Sequence, residues 1–296
     1  MNNYQDRFSL ILSFIDKNLD QTISIKSLSE IAYFSEYHFH RQFSTYIGLP
    51  VKKYIQNQRL TKSSYQLVFR QELSIGEIST QANFTNAESF ARAFKREFNQ
   101  SPSEFRKQPH SQPWQNQGAI NETLQKVKEN MFTQTNCSND INAVSIINFP
   151  ETKLAVYQHT GSASDLMKSV QHFITWRKAN NLPPSRYKTY NLVYNDPAET
   201  PDADFKFDIC TQTDYDISDN EYNVVNKTIP AGKCAKYRHI GSDQFLEKSL
   251  HLLYGQWLPQ SGETLRDFPC ILERVRMFPD VAESETIIDI YLPLAE

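Results

Sequence analysis

Apolar residues along the first hundred positions recur every three to four residues. Phe8, Ile11, Leu12, Ile15 and Leu19 form one such stripe, the pattern of a helix with a single buried face. Ser24 precedes a short segment in which Leu28, Ile31 and Ala32 share a face. Ser35 is placed to cap a third helix, from Glu36 to about Tyr46, which Gly48 and Pro50 end. A long helix then runs from about Val51 to Phe69, with Tyr54, Ile55, Leu60, Leu67 and Val68 as its apolar positions. The punctuation repeats beyond it. Ser74 with Glu77 and Thr85 with Glu88 read as capping boxes, and Ser101-Pro102-Ser103-Glu104 reads as a further helix start with proline at the first helical position. Phe90, Ala93 and Phe94 lie on one face of the helix that Thr85 opens. The region therefore holds two units of short helix, tight turn and second helix, Ser24–Tyr46 and Ser74–Phe98. In a helix-turn-helix the second helix enters the DNA major groove, braced by the first. The connecting helix of 19 residues is about 28 Å long at about 1.5 Å per residue. A turn of B-DNA is about 34 Å, so one chain can present two reading helices to successive major grooves.

The texture changes at residue 108. The stretch Gln108–Gly118 is polar with two prolines and reads as a linker, followed by a short helix near Glu122–Phe132 and a second polar stretch, Thr133–Asn142. From Val144 onward the pattern is α/β. Residues 143–147, Lys153–His159 and Phe205–Thr211 read as strands, and Asp165–Trp176 as a helix. An internal repeat runs through this half. Lys153-Leu154-Ala155-Val156-Tyr157-Gln158-His159 aligns with Lys233-Cys234-Ala235-Lys236-Tyr237-Arg238-His239 at an offset of 80, and Gly161-Ser162 with Gly241-Ser242. The match continues through Ser169 and Ser249, then reaches Trp176 and Trp257 at an offset of 81. Each copy adds a strand running toward a proline, Asn191–Pro197 and Glu273–Pro279, at an offset of 82, and closes with Phe205–Thr211 or Ile287–Leu292. Each unit reads β-α-β-β. The expected architecture is multidomain: an all-α double helix-turn-helix domain over 1–107, a linker over 108–142, and an α+β domain over 143–296. In the last, two β-α-β-β repeats form one antiparallel-rich sheet with helices on one face.

Charge sharpens this division. The net charge of −3 splits into +4 over residues 1–110 and −7 over the remainder, so only the first part is suited to a polyanion. The chain is 39% hydrophobic and 22% charged, as expected of a soluble globular protein. No apolar run reaches the about 18 residues that a membrane helix needs, and the polar start Met1-Asn2-Asn3-Tyr4 argues against a secretory signal. Cys137, Cys210, Cys234 and Cys270 form no CxxC pair, so neither a zinc ribbon nor a disulfide framework is expected, and a reducing cytoplasm is the expected location. No cofactor motif, phosphate loop or Ser-His-Asp arrangement is present. His159 and His239 lack other residues at metal-ligand spacing and read as structural.

The spacing of Phe94, Lys95, Phe98, Pro102, Phe105 and Arg106, following Phe90 and Arg92, resembles that of AraC/XylS-family transcription regulators. Phe34 to Phe43, then Gly48, Pro50, Tyr54, Arg59 and Leu60, agree with it in the first unit. The resemblance covers about residues 5–107. Asn83 stands where that family has glycine in the second turn, and asparagine tolerates the left-handed conformation. The C-terminal repeat resembles the GyrI-like effector-binding domain of Rob-like proteins over about residues 143–295, through Arg238-His239-Ile240-Gly241, Tyr194-Asn195-Asp196-Pro197, and Glu273 ahead of Pro279. Val275 departs from it, standing where that family often has an aromatic residue.

The combined resemblance implies a DNA-binding regulator, an activator by that analogy, whose partners are double-stranded DNA, a small-molecule effector and RNA polymerase. Arg41 and Arg92 lie midway along the reading helices, where arginine pairs with guanine O6 and N7. Tyr37 and His40 lie beside Arg41. In the second helix the matching positions include Glu88, Ser89 and Arg92. Glu88 has two open readings, an acceptor for cytosine N4 or the partner of the Thr85 cap. Lys95 and Arg96 read as phosphate contacts. For the effector, Glu273 is the expected anionic anchor, with Asn191 as its counterpart in the first copy. Tyr157, Tyr237, Trp176 and Trp257 are expected to line a groove between the copies. An acid among aromatics suits an amphipathic ligand, cationic or neutral. Two other readings stay open: a hydrolase in which Glu273 and a tyrosine act as acid or base, and an activator that works without a ligand.

Overall fold

The computed structural model describes residues 4–34, 36–109, 141–195 and 200–296, with the side chains of residues 4–5 and 36–38 outside the description. The expected linker over 108–142, the helix near Glu122–Phe132, the Ser35 cap and the Asp196-Pro197 dipeptide lie wholly or largely outside the described residues. The chain divides into two compact units, and each is taken by itself.

The first unit is helical: α1 (Tyr4–Lys17), α2 (Ile25–Ile31), α3 (Glu36–Ile47), α4 (Val51–Phe69), α5 (Ile75–Gln81), α6 (Ala87–Phe98) and α7 (Pro102–Lys107). The stripe of α1 forms one core with Leu28, Ala32, Phe39, Phe43, Ile47, Val51, Tyr54 and Ile55. A second cluster of rings forms around α6, where Phe90, Phe94 and Phe105 are fully buried and Phe98 nearly so. Ser24, Ser74 and Ser101 cap their helices as the sequence predicts, the last two as full capping boxes. The cap of α6 differs. Asn86, not Thr85, is the N-cap, and its side chain accepts from the Ser89 N–H. Asparagine is the stronger capping residue of the two neighbours, and one step of register takes Glu88 out of the box.

The two turns are built alike. Phe34 N–H donates to the Ser29 carbonyl at 2.9 Å, and Phe84 N–H donates to the Ser79 carbonyl at 3.1 Å. Both hydrogen bonds require a residue with positive φ between the helices. Asn83 fills that place in the second turn at φ 61° and Tyr33 fills it in the first at φ 55°. Tyrosine bears the Cβ penalty of that conformation, and its ring is 70% exposed, so little packing offsets it. Tyr33→Gly should stabilise the first unit by about 0.5–1 kcal/mol, the relief of strain less the added backbone entropy. A urea midpoint that fails to rise would exclude the strain.

The second unit is an eight-stranded antiparallel sheet with strands β1 (Ser145–Phe149), β2 (Thr152–Thr160), β3 (Thr189–Val193), β4 (Lys206–Gln212), β5 (Val225–Ile229), β6 (Gly232–Ile240), β7 (Cys270–Arg276) and β8 (Ile287–Pro293). Their order is β1-β6-β8-β7-β3-β4-β2-β5. Both β-α-β-β units are present, and each is preceded by one more short strand, β1 or β5. These leading strands are exchanged: β1 pairs with β6 of the second copy, and β5 pairs with β2 of the first. Only Pro150 and Glu151 separate β1 from β2, yet those strands stand near opposite ends of the sheet order. The sheet must therefore curl. Its helix-free face is the inside of the curl, where the Phe149 ring lies 4.9 Å from that of Tyr291.

Helix α8 (Leu166–Ala179) covers the outer face in the first copy. Its counterpart is interrupted: α9 (Leu246–His251) passes through a π-helical stretch, Leu252–Trp257, into α10 (Leu258–Ser261). A π-bulge inserts one residue into an α-helix. That insertion accounts for the step in repeat offset from 80 to 81 between the serine pair and the tryptophan pair.

Candidate functional site

His40 and Arg41 are exposed on α3, while Phe39 and Phe43 are buried beneath them. Tyr37 belongs to α3, but its side chain lies outside the described residues. On α6, Glu88, Arg92, Lys95 and Arg96 are exposed. The changed cap alters the roles here. Glu88 is released from the expected capping box and stands 3.7 Å from the Arg92 guanidinium one turn on, both side chains more than 70% exposed. Ser89 is half-buried, and its hydroxyl donates to the Asn86 carbonyl at 2.9 Å. Its proton is therefore engaged within the helix. Each of α3 and α6 thus carries an arginine in solvent over a phenylalanine core, and α6 adds an acid beside it.

The expected effector residues do not converge. Tyr237 lies opposite Ile290 across the β6–β8 ladder and packs with the residues under α9. Tyr157 packs near Phe173 and Trp176 under α8. Trp176 is 2% exposed within that cluster, and Trp257 is half-buried against the outer-face core. Glu273 is on the other face. It lies directly opposite Tyr190 on β3 and Asp289 on β8. Side chains alternate across a strand, so Arg238 shares the inner face with Asp289 while Tyr237 points outward with Ile290. The expected groove of four aromatics around Glu273 is replaced by a different set. The counterpart of Glu273 also changes. The β3–β4 and β7–β8 registers, with Asp208 equivalent to Asp289, make Leu192 rather than Asn191 the matching residue.

Around Glu273 the inner face is polar and heavily bonded. The Tyr291 hydroxyl donates to its carboxylate at 2.9 Å and the Lys188 ammonium stands 2.9 Å away. Burial pushes the Tyr190 and Tyr291 phenols up, and the Glu273 charge adds to that. Like charges directly opposite each other destabilise a sheet, but Asp289 is neutralised. Arg238 grips it with two nitrogens at 2.6 and 2.8 Å, and Lys236 approaches to 2.8 Å. The repeat-related Asp208 accepts from the Tyr194 hydroxyl at 2.8 Å and pairs with Lys227 at 2.5 Å. Phe149, Tyr190 and Tyr291 supply apolar surface beside these groups. The face therefore sets Glu273, Asp208 and Asp289 against Lys188, Lys227, Lys236 and Arg238, so the expected lone acid among aromatics is replaced by a set in which cations balance the acids.

Tyr190, Tyr291, Lys188 and the two aspartates carry no motif that singles them out in the sequence. A weaker signal for the aspartates exists: Phe207-Asp208-Ile209-Cys210 and Ile288-Asp289-Ile290-Tyr291 each place a charge at the same point of an apolar strand. The two repeat histidines have structural partners. His159 Nδ1 lies 2.8 Å from the Ser169 hydroxyl, and His239 Nδ1 lies 2.9 Å from that of Ser249. In each, Nε2 faces a backbone carbonyl, of Ser162 or Ser242. A carbonyl only accepts, so Nε2 carries a proton in each ring and donates it there. Burial pushes the His239 imidazole down.

Among the described residues no helix is long and apolar enough to cross a membrane. Residues 142–295 match the family described as a GyrI-like small molecule binding domain, and residues 28–108 match a helix-turn-helix domain. The chain is 36% identical over 165 residues to the probable transcriptional regulator YgiV of Escherichia coli K12, covering 54% of this chain and 99% of that one. It is 32% identical over 99 residues to the right origin-binding protein of the same organism, covering 33% and 34% of the two chains. A transcriptional regulator of Chromobacterium violaceum, with an AraC-type DNA-binding domain, resembles it at 24% identity and a TM-score of 0.33 over 36% of this chain and 96% of that one. The chain belongs to the GyrI-like small-molecule-binding family and joins that domain to an AraC-type helix-turn-helix domain, the composition of a DNA-binding transcription regulator.

Proposed function

We propose that α3 and α6 read sequence in successive major grooves and that an amphipathic effector, held on the inner sheet face at Glu273, biases transcription toward activation through contact with RNA polymerase. The observation that supports the DNA half is the placement of His40, Arg41, Glu88 and Arg92 in solvent over fully buried phenylalanines. Packing holds each helix rigid while leaving its polar edge free. Arg41 and Arg92 donate to guanine, Glu88 accepts from cytosine N4, and Lys95 and Arg96 neutralise phosphates. For the effector half, Glu273 serves as an anchor rather than as a general base, with Tyr190 and Tyr291 in place of the aromatics expected from the sequence. A cytoplasmic location follows from this role.

Selection of a random duplex library on the 296-residue chain tests the reading. A single enriched motif is expected, with affinity falling steeply with salt as counterions are released. Arg41→Ala should cost about 1–3 kcal/mol on that motif and relax preference at one base pair. Lys95→Ala should weaken all sequences alike and flatten the salt slope. Absence of enrichment by folded protein would overturn sequence reading by α3 and α6. Equal loss on specific and random DNA for Arg41→Ala would remove Arg41 as a base reader.

A further inference from the structure

The acid at the centre of the inner face and the cation that meets it come from opposite copies of the repeat. Glu273 is on β7 of the second copy. Lys188 directly precedes β3 of the first. Neither has an equivalent. By the sheet register the counterpart of Glu273 is Leu192, and that of Lys188 is Pro269. The two charges therefore form a unit that the pseudo-symmetry of the domain does not repeat.

Lys188 also differs from the other cations of this face. Arg238 and Lys236 are held by Asp289, and Lys227 by Asp208, and both carboxylates are almost fully buried. Among the described residues the Lys188 ammonium pairs with Glu273 alone, and its side chain is 57% exposed while that of Glu273 is 10% exposed. The carboxylate is a fixed site, braced by the Tyr291 hydroxyl at 2.9 Å. The lysine is a long tether that reaches it from solvent, and its departure leaves a nearly buried carboxylate without a countercharge, so a cation that takes its place must supply one.

We propose that Lys188 is an internal competitor for the Glu273 carboxylate and sets the charge selectivity of the effector site. A neutral amphipathic molecule packs on Tyr190, Tyr291 and Phe149 without disturbing the pair. A cationic molecule must first displace the tethered ammonium, so the site discriminates against cations despite its buried acid. This rests on the reading of the inner face around Glu273 as the effector site. The discrimination is electrostatic and so acts on ligand charge, not on ligand size.

Calorimetric titration of the 296-residue chain with octyltrimethylammonium, and with octanol as the uncharged probe of equal chain length, tests it. Lys188→Met keeps an apolar stem and removes the charge. It should raise affinity for octyltrimethylammonium about tenfold and leave that for octanol within about twofold. Lys188→Arg should behave as wild type. Adding Glu273→Gln to Lys188→Met should abolish the gain. An equal gain for both probes, or none for the cation while octanol still binds, overturns the role of Lys188. Failure of octanol to bind any folded variant, or octanol binding that a Tyr190→Ala change leaves untouched, overturns the effector-site reading beneath it.

Discussion

Phe94→Ala should destabilise the DNA-binding unit by about 3–5 kcal/mol, the range for removing a buried phenylalanine. The ring is fully buried. It lies 4.4 Å from the ring of Phe98, 5.5 Å from that of Phe105 and 5.6 Å from that of Phe90. These three rings come from α6 and α7, two short helices with little intrinsic stability. The truncation leaves a cavity that these rings cannot fill without leaving their rotamers, so the cost falls at the upper part of the range. Native-state hydrogen exchange of the α6 amides should show the loss directly. Because α6 bears Glu88, Arg92, Lys95 and Arg96, the residues proposed to meet DNA, specific DNA binding should fall with it even though none of the four is changed. Phe94→Leu, which keeps most of the volume, should recover most of the stability. A cost below about 1 kcal/mol for the alanine variant would mean that the cluster is looser than its ring distances indicate.

The helical unit is legible in the sequence because its signals are local. Stripes, serine caps and Pro102 each act within one turn, and Asn83 is matched to a left-handed turn by its chemistry alone. Where local signals compete, the pattern misleads. Thr85 and Asn86 are adjacent capping residues, and the stronger one wins, which moves Glu88 from a structural role to an exposed one. Tyr33 gives no signal at all, because tyrosine is not a residue that the left-handed region favours. In the sheet the repeat is legible, but the faces are not. The parity of a residue within one strand does not say which face it shares with residues of another strand. Only the register does, and it separates Glu273 from Tyr157 and Tyr237. β5 is hard to see because Val225-Asn226-Lys227-Thr228-Ile229 is a half-polar edge strand with an exposed start. Lys188 lies just outside a strand, where no periodicity applies.

Asp289→Ala carries the other large expected effect, and its pH dependence has a definite sign. The carboxylate is 2% exposed and is held by Arg238 and Lys236. Removing one partner of a buried ion pair costs about 3–5 kcal/mol, because the charge left behind has lost its counterion. Two features lower that figure. The Arg238 side chain is about half exposed, so water recovers part of its solvation. Glu273, directly across the β7–β8 ladder, also loses a like-charged neighbour. A cost of about 2–3 kcal/mol at neutral pH is the resulting expectation. Burial by itself would raise the Asp289 carboxyl, but hydrogen bonds from Arg238 and Lys236 outweigh it and hold the group below the usual carboxylate range. A depressed folded value means that the unfolded chain takes up the proton first. The contribution is therefore complete above the unfolded value of about 3.9 and is lost as pH falls through the lower folded value. The stability gap between wild type and Asp289→Ala should hold from pH 7 down to about pH 4 and close below it. Chemical denaturation across that range would measure it. A gap that instead closes between pH 7 and pH 5 would trace the stabilisation to a group other than this carboxylate, and a gap that persists at the lowest pH would assign it to packing.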